Sequence, residues 1–404
     1  MAIALLGVIG LIAACGGGGG GSAPAASNGP PGTLDTAFAT GGKFSWDGGS
    51  TDDAGYDVVA DPAGGYYVVG ATGASASGAV WRLTDTGVLD TTFNTTGVLK
   101  PAGVGRIYRG VLAGGLLYAA GAISVTSNPL VCVTKTGANC TGFNAGSSLL
   151  IPTYPLAIAS DPTNSDILAA GGNGAAGWIT SVTRASSTGV LGTTYTSTGP
   201  LGTAGGNMAH GVAMDAAGNA YVSGFALVGA ATHGYLLRLT KAMALDTTFN
   251  ALGLVPGTVD LGGAGSGGGP VALDSTGKIL VSDGNGALLR VTTAGAVDAT
   301  FASSGKLVSS MMIDKITIDG NGKVLLIGRA SGSTVQACRY SSGGVIDTTF
   351  NGTGCQTFAS YTGPWGGNEI PGGTVDSSNR VLVTYPFASG GTTLADVAVY
   401  RLNP

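Results

Sequence analysis

Residues 87–93 read GVLDTTF, and the phrase returns along the chain as GTLDTAF (32–38), ANCTGF (138–143), GVLGTTY (189–195), MALDTTF (243–249), GAVDATF (295–301) and GVIDTTF (344–350). The closing aromatics, Phe38, Phe93, Phe143, Tyr195, Phe249, Phe301 and Phe350, are spaced by 55, 50, 52, 54, 52 and 49 residues. A period near 50 belongs to propeller blades or solenoid units. Between the phrases lies an apolar run, a turn and a second apolar run: DVVADPAGGYYVVG (57–70), GVAMDAAGNAYVSG (211–224), VALDSTGKILVSDG (271–284) and ITIDGNGKVLLIG (316–328). Asp with Gly or Asn between such runs predicts a β-hairpin. A third strand carries an arginine, as in AVWRLT (79–84), and a fourth follows the aromatic, as in GVLK (97–100).

The ends decide between an open array and a ring. The N-terminus supplies only a fourth strand, about 42–46, and the C-terminus stops after a third, about 397–402. Together they complete one blade. The expectation is an all-β, seven-bladed β-propeller of four-stranded blades over residues 32–404, closed by pairing the two ends. A solenoid would show atypical caps instead.

Composition narrows the function. The chain has 74 glycines in 404 residues, yet 44 % hydrophobic residues, enough for a core. With 18 Lys+Arg against 22 Asp+Glu and no basic run, the cationic stripe of a nucleic-acid binder is missing. Residues 2–14 (AIALLGVIGLIAA) are uncharged and mostly apolar, too short to span a bilayer and suited to a signal-peptide core. Residues 15–31, opening with six glycines after Cys15, read as a flexible tether.

Two resemblances follow. Ile12-Ala13-Ala14-Cys15 resembles the lipobox of bacterial lipoproteins, which implies a signal peptide over 1–14, lipidation at Cys15 and a membrane anchor. No Lys or Arg precedes the apolar run, a departure from the usual signal. Gly16 is not the aspartate of inner-membrane retention, so the expected address is the outer membrane of a Gram-negative bacterium, facing the periplasm or the surface. The G-x-LD-x-x-F unit resembles the delta-60 repeat of bacterial secreted proteins, and the hairpins are similar to NHL and SBBP propeller repeats. This implies a surface or periplasmic propeller and says little about chemistry.

Eleven residues before the aromatic stand Arg82, Arg184, Arg238, Arg290 and Arg339, and three before it Asp90, Asp246, Asp298 and Asp347. In one repeat both slots are cysteine, Cys132 and Cys140. The joint change implies that the slots touch, by an ion pair where they are Arg and Asp and by a disulfide where they are Cys. Arg401 then needs Asp35 from the other end of the chain, while Gly192 opposite Arg184 breaks the rule. Cys338 and Cys355 fall on adjacent strands of one blade and are expected to form a second disulfide, contributing about 3 kcal/mol by loop entropy.

Enzyme signatures fail. There is no G-x-S-x-G, Walker loop, HExxH or C-x-x-C. The G-x-G-x-x-G lookalikes at Gly172 and Gly263 open no predicted helix, and the D-G-N-G runs at Asp283 and Asp319 read as turns. Only His210 and His233 are present, too few for a multi-histidine metal site. Counting back five from each hairpin aspartate gives Tyr56, Leu156, His210, Gly269, Asp314 and Pro371, with Tyr108 in the matching place of the second blade. These positions, with Asp52, Asp53, Arg106, Asn207 and Glu369 nearby, define the channel mouth as the candidate ligand or metal site. Trp46, Trp81, Trp178 and Trp365 read as blade packing rather than a sugar platform.

Two functions are expected. The preferred one is a monomeric, non-catalytic interaction module binding a protein or glycan, with no cofactor. The alternative is a calcium-dependent hydrolase or lactonase-like enzyme, with calcium held by Asp52, Asp53, Asp314 or Glu369 and His210 as acid/base.

Overall fold

The computed structural model describes residues 29–49, 52–73, 77–174, 178–202, 206–262, 269–330, 334–360, 370–388 and 395–404. They form seven four-stranded antiparallel sheets, six of them following chain order from the innermost strand outward. The first blade is Asp53–Ala60, Tyr66–Thr72, Ser77–Leu83 and Val98–Leu99. The seventh takes Gly372–Val375, Val381–Ala388 and Ala395–Leu402 from the C-terminus and Lys43–Trp46 from the N-terminus. Lys43 pairs with Tyr400 and Trp46 with Val397, so the ring closes as the ends of the sequence require.

The period-2 pattern fills the space between sheets. Val58, Tyr66, Val68, Ala79 and Trp81 of the first blade pack against Leu382, Val397 and Val399 of the seventh. Burying each such side chain contributes roughly 1.5–3 kcal/mol. The repeated phrase has a structural purpose: Phe38, Phe249, Phe301 and Phe350 are fully buried, and an arginine lies over each ring, Arg401, Arg238, Arg290 and Arg339 at 4.6, 5.3, 4.8 and 4.7 Å. Each arginine reaches its phrase aspartate: Arg238 Asp246, Arg290 Asp298 at 2.8 Å, Arg339 Asp347 at 2.9 Å, and Arg401 Asp35 at 2.9 Å. Both expected disulfides, Cys132–Cys140 and Cys338–Cys355, are present.

The residue after the aromatic then turns left-handed and donates its N–H to the next blade. Ala39 bonds Thr86, Asn94 bonds Thr136, Asn144 bonds Thr188, Asn250 bonds Ala294, Ala302 bonds Gly343 and Asn351 bonds Pro31. All six have φ between 42 and 51°, where Asn is tolerated better than most residues. These clasps link six of the seven seams, and the one between the third and fourth blades lacks its counterpart among the described residues.

Two arginines depart from the expected pairing. Arg82 turns from Asp90 to the hairpin Asp61 at 3.0 Å, and Arg184 to Asp161 and Asp166 at 2.7 and 3.1 Å. The third blade explains the second case. With Gly192 in the aspartate slot nothing pins the phrase as a loop, and Leu191–Ser197 becomes the outer strand itself, pairing Tyr195 with Val182.

Candidate functional site at the channel mouth

Every long innermost strand is broken at one place. The register shifts between Gly55 and Asp57, Ile107 and Arg109, Pro155 and Ala157, Ala209 and Gly211, and Ile313 and Lys315. The extra residues are Tyr56, Tyr108, Leu156, His210 and Asp314, the positions obtained by counting back from the hairpins. A bulge re-aims one side chain and leaves it out of the ladder. Gly269 and Pro371 occupy the matching places just before the shorter strands Val271–Leu273 and Gly372–Val375.

The ring has two unlike halves. On one side an aromatic arc runs from Tyr56 to Tyr108 (5.8 Å between centroids), to Tyr154 (5.7 Å) and to Trp178 (5.5 Å). The Tyr108 and Tyr154 hydroxyls are 2.8 Å apart, and burial with this bond pushes the Tyr108 phenol well above its usual range. On the other side lie charged pairs. Lys315 of the sixth blade donates to Asp57 of the first at 3.2 Å, bypassing the seventh. Gly372 makes that possible, since a Cβ there would sit 2.4 Å from the Tyr56 carbonyl oxygen. Arg329 grips Asp314 through two hydrogen bonds of 2.9 and 2.8 Å, and Arg109, 8 % exposed, donates Nη1 to the carbonyls of Tyr56 and Tyr108 at 3.3 and 2.7 Å.

The predicted site residues that are described lie at or beside the starts of the innermost strands, and their side chains engage different protein groups. Asp53 is fully buried and accepts the Gly48 N–H at 2.8 Å. Asp314 is bound to Arg329, although burial holds its carboxyl above the usual range. His210, half-buried and edge-on to Phe225 at 5.6 Å, has its pKa pushed down to about 4, first by dehydration and then by the charge of Arg109. Arg106 is hydrogen-bonded to the Tyr108 hydroxyl, and Asp52 lies half-buried at the first blade's entrance. Glu369, Trp365 and Cys15 lie outside the described residues. Among the described residues no three of His, Cys, Asp or Glu come together as metal ligands.

The turn reading of the D-G-N-G runs is the one seen: Asp283 Oδ1 accepts the N–H groups of Asn285 and Ala287, and Asp319 Oδ1 those of Asn321 and Lys323. Trp81 is fully buried against Trp46 at 5.3 Å, as a packing residue should be. Trp178 packs as well, half-buried and at φ +62°, against the cluster of Tyr56, Tyr108, Tyr154 and Leu156. Residues that counting back five did not single out include Asp57, Arg109 and Lys315. All three stand one place further along, at the first residue after each bulge.

The architecture defines the class: a seven-bladed β-propeller whose sixth and first blades are joined beside their bulges by the Lys315–Asp57 ion pair. The chain matches no family model and no curated protein. Among solved structures it is similar to the WD40 β-propeller domain of Doa1, at 12 % identity and a TM-score of 0.48, over 89 % of this chain and 95 % of that one.

Proposed function

We propose that the chain is a lipid-anchored cell-envelope propeller of the delta-60 type, a monomeric interaction module whose channel mouth binds a protein or glycan without transforming it. What supports this reading over a calcium-dependent hydrolase is the engagement of the carboxylates. Asp53 is held by a backbone N–H, Asp57 by Lys315 and Asp314 by Arg329, each by a different protein donor. Recruiting Asp53 and Asp314 to one cation would break the Arg329 ion pair of Asp314 and the backbone bond of Asp53. A His210 imidazole that stays neutral down to about pH 4 is also a poor carrier of a proton at neutral pH. The lipobox-like Ile12 to Cys15 segment supports the anchor. Affinity capture on the mature chain tests the binding reading: specific retention of an envelope component, lost in Arg106→Ala or Asp314→Asn, is expected. Turnover of ester or lactone substrates by the purified chain would refute it. Cys15→Ser should release the chain from the membrane fraction.

A further inference from the structure

We propose that the Arg109 guanidinium is an anion site at the channel mouth that takes a single carboxylate group, which gives the proposed binding module its ligand chemistry and rests on that reading. Arg109 is the first residue after the bulge of the second blade's innermost strand and is 8 % exposed. Burying a charge is costly unless it is paired, and an arginine cannot shed its proton to escape that cost. Yet its hydrogen bonds among the described residues go only to neutral acceptors. Nη1 donates to the carbonyls of Tyr108 at 2.7 Å and Tyr56 at 3.3 Å.

The carboxylates whose charge reaches Arg109, Asp57 and Asp314, are engaged elsewhere. Asp57 divides its oxygens among Lys315 Nζ at 3.2 Å, the Val58 N–H at 3.1 Å and the Gly110 N–H at 3.5 Å. Asp314 gives both oxygens to Arg329. Arg109, Lys315 and Arg329 therefore meet two carboxylates, and one positive charge is left over. The charge of Arg109 is felt by Asp314 of the sixth blade and by His210 of the fourth, so the guanidinium stands toward the axis. The two nitrogens that the carbonyls leave unused, Nε and Nη2, lie on one edge of the planar group, and neither is sealed from solvent. Such an edge presents two parallel N–H groups that match the two oxygens of a carboxylate. One surplus charge and one planar fork suit a monocarboxylate better than a phosphate dianion.

The test is calorimetric titration of the mature chain at neutral pH with acetate and benzoate at millimolar concentration, with phosphate as the comparison, alongside NMR of the arginine Nε–H resonances. A tripeptide with a free C-terminus and its amidated form separate the two sources of a carboxylate, a free acid and the chain end of a partner. Binding of a carboxylate that moves one Nε–H resonance downfield is expected. It should weaken about tenfold in Arg109→Lys, which keeps the charge and loses the fork, and vanish in Arg109→Met. Should Arg109→Met fail to fold, Arg109→Lys and the resonance shift of the unaltered chain still decide. No binding of the acids or the free tripeptide, equal binding by Arg109→Lys, or a preference for phosphate would overturn the inference. Capture of an envelope component by a chain that binds no carboxylate would leave the module reading standing, and loss of both would remove it too.

Discussion

The equivalence of the Arg and Asp slots around the ring can be tested where the chain ends meet. In each blade that keeps the phrase as a loop, the second slot donates its N–H to the carbonyl of the first: Cys140 to Cys132 at 3.1 Å, Asp90 to Arg82 at 2.8 Å, and Asp35 to Arg401 at 2.9 Å. At the cysteine pair this geometry puts the Cα atoms 5.4 Å apart, within the range a disulfide bridges. Moving the cysteines to the closing blade, as Asp35→Cys with Arg401→Cys, should therefore cross-link positions 366 residues apart. Loop entropy then gives about 6 kcal/mol over the same chain without that cross-link. With an unfolding entropy of about 2 cal/mol/K per residue, this amounts to a rise in Tm of about 8 °C. The assay is a pair of melting curves under oxidising conditions, the double-cysteine chain against Asp35→Ser with Arg401→Ser, which keeps both native disulfides closed, with non-reducing electrophoresis to show the more compact, cyclised denatured chain. Failure to cross-link under oxidising conditions, with the fold intact, would refute the equivalence of the slots and with it the explanation of the cysteine swap.

Asp161→Ala should cost about 1–3 kcal/mol by chemical denaturation, because it removes the shorter, fully buried half of the Arg184 pairing and leaves Asp166 as its one carboxylate, in the blade that lost its own phrase aspartate. Gly372→Ala should destabilise by about 1–3 kcal/mol, since the new methyl meets backbone rather than a movable side chain; an unchanged melt would show that the Lys315 to Asp57 crossing does not depend on that gap. His210 favours its neutral form when folded. Its contribution is therefore full above an unfolded value of about 6.5 and is lost as pH falls from there toward about 4. NMR titration should place its midpoint near the lower figure, and His210→Gln should flatten stability over that window.

Much of this architecture is legible in the residues because it is local. A phrase recurring every fifty residues, hairpins with Asp and Gly in their turns and an unequal division of strands between the ends fix the blade count and the closure. The shared Cys132 and Cys140 slots likewise announce a contact eight residues apart. The partners of Arg82 and Arg184 were hidden because the hairpin aspartates Asp61 and Asp161 lie 21 and 23 residues away, where spacing carries no signal. At the mouth, counting back five found the bulge residues but not the charged residues beside them. Asp57 and Lys315 are 258 residues apart and meet only because three blades converge on one axis.

The shared seventh blade has a consequence for the order of assembly. Six blades are complete within contiguous segments and can form as each is synthesised, but Lys43–Trp46 must wait for Ala395–Leu402. Until the last residues arrive, the first strand of the chain has no partner. Pairing across the largest available sequence separation makes this a late step, with a high entropic barrier to initiation. A chain truncated by even one strand at its C-terminus would keep most of its blades yet remain an open arc with two raw edges, the form in which propeller chains can be expected to find one another instead of themselves.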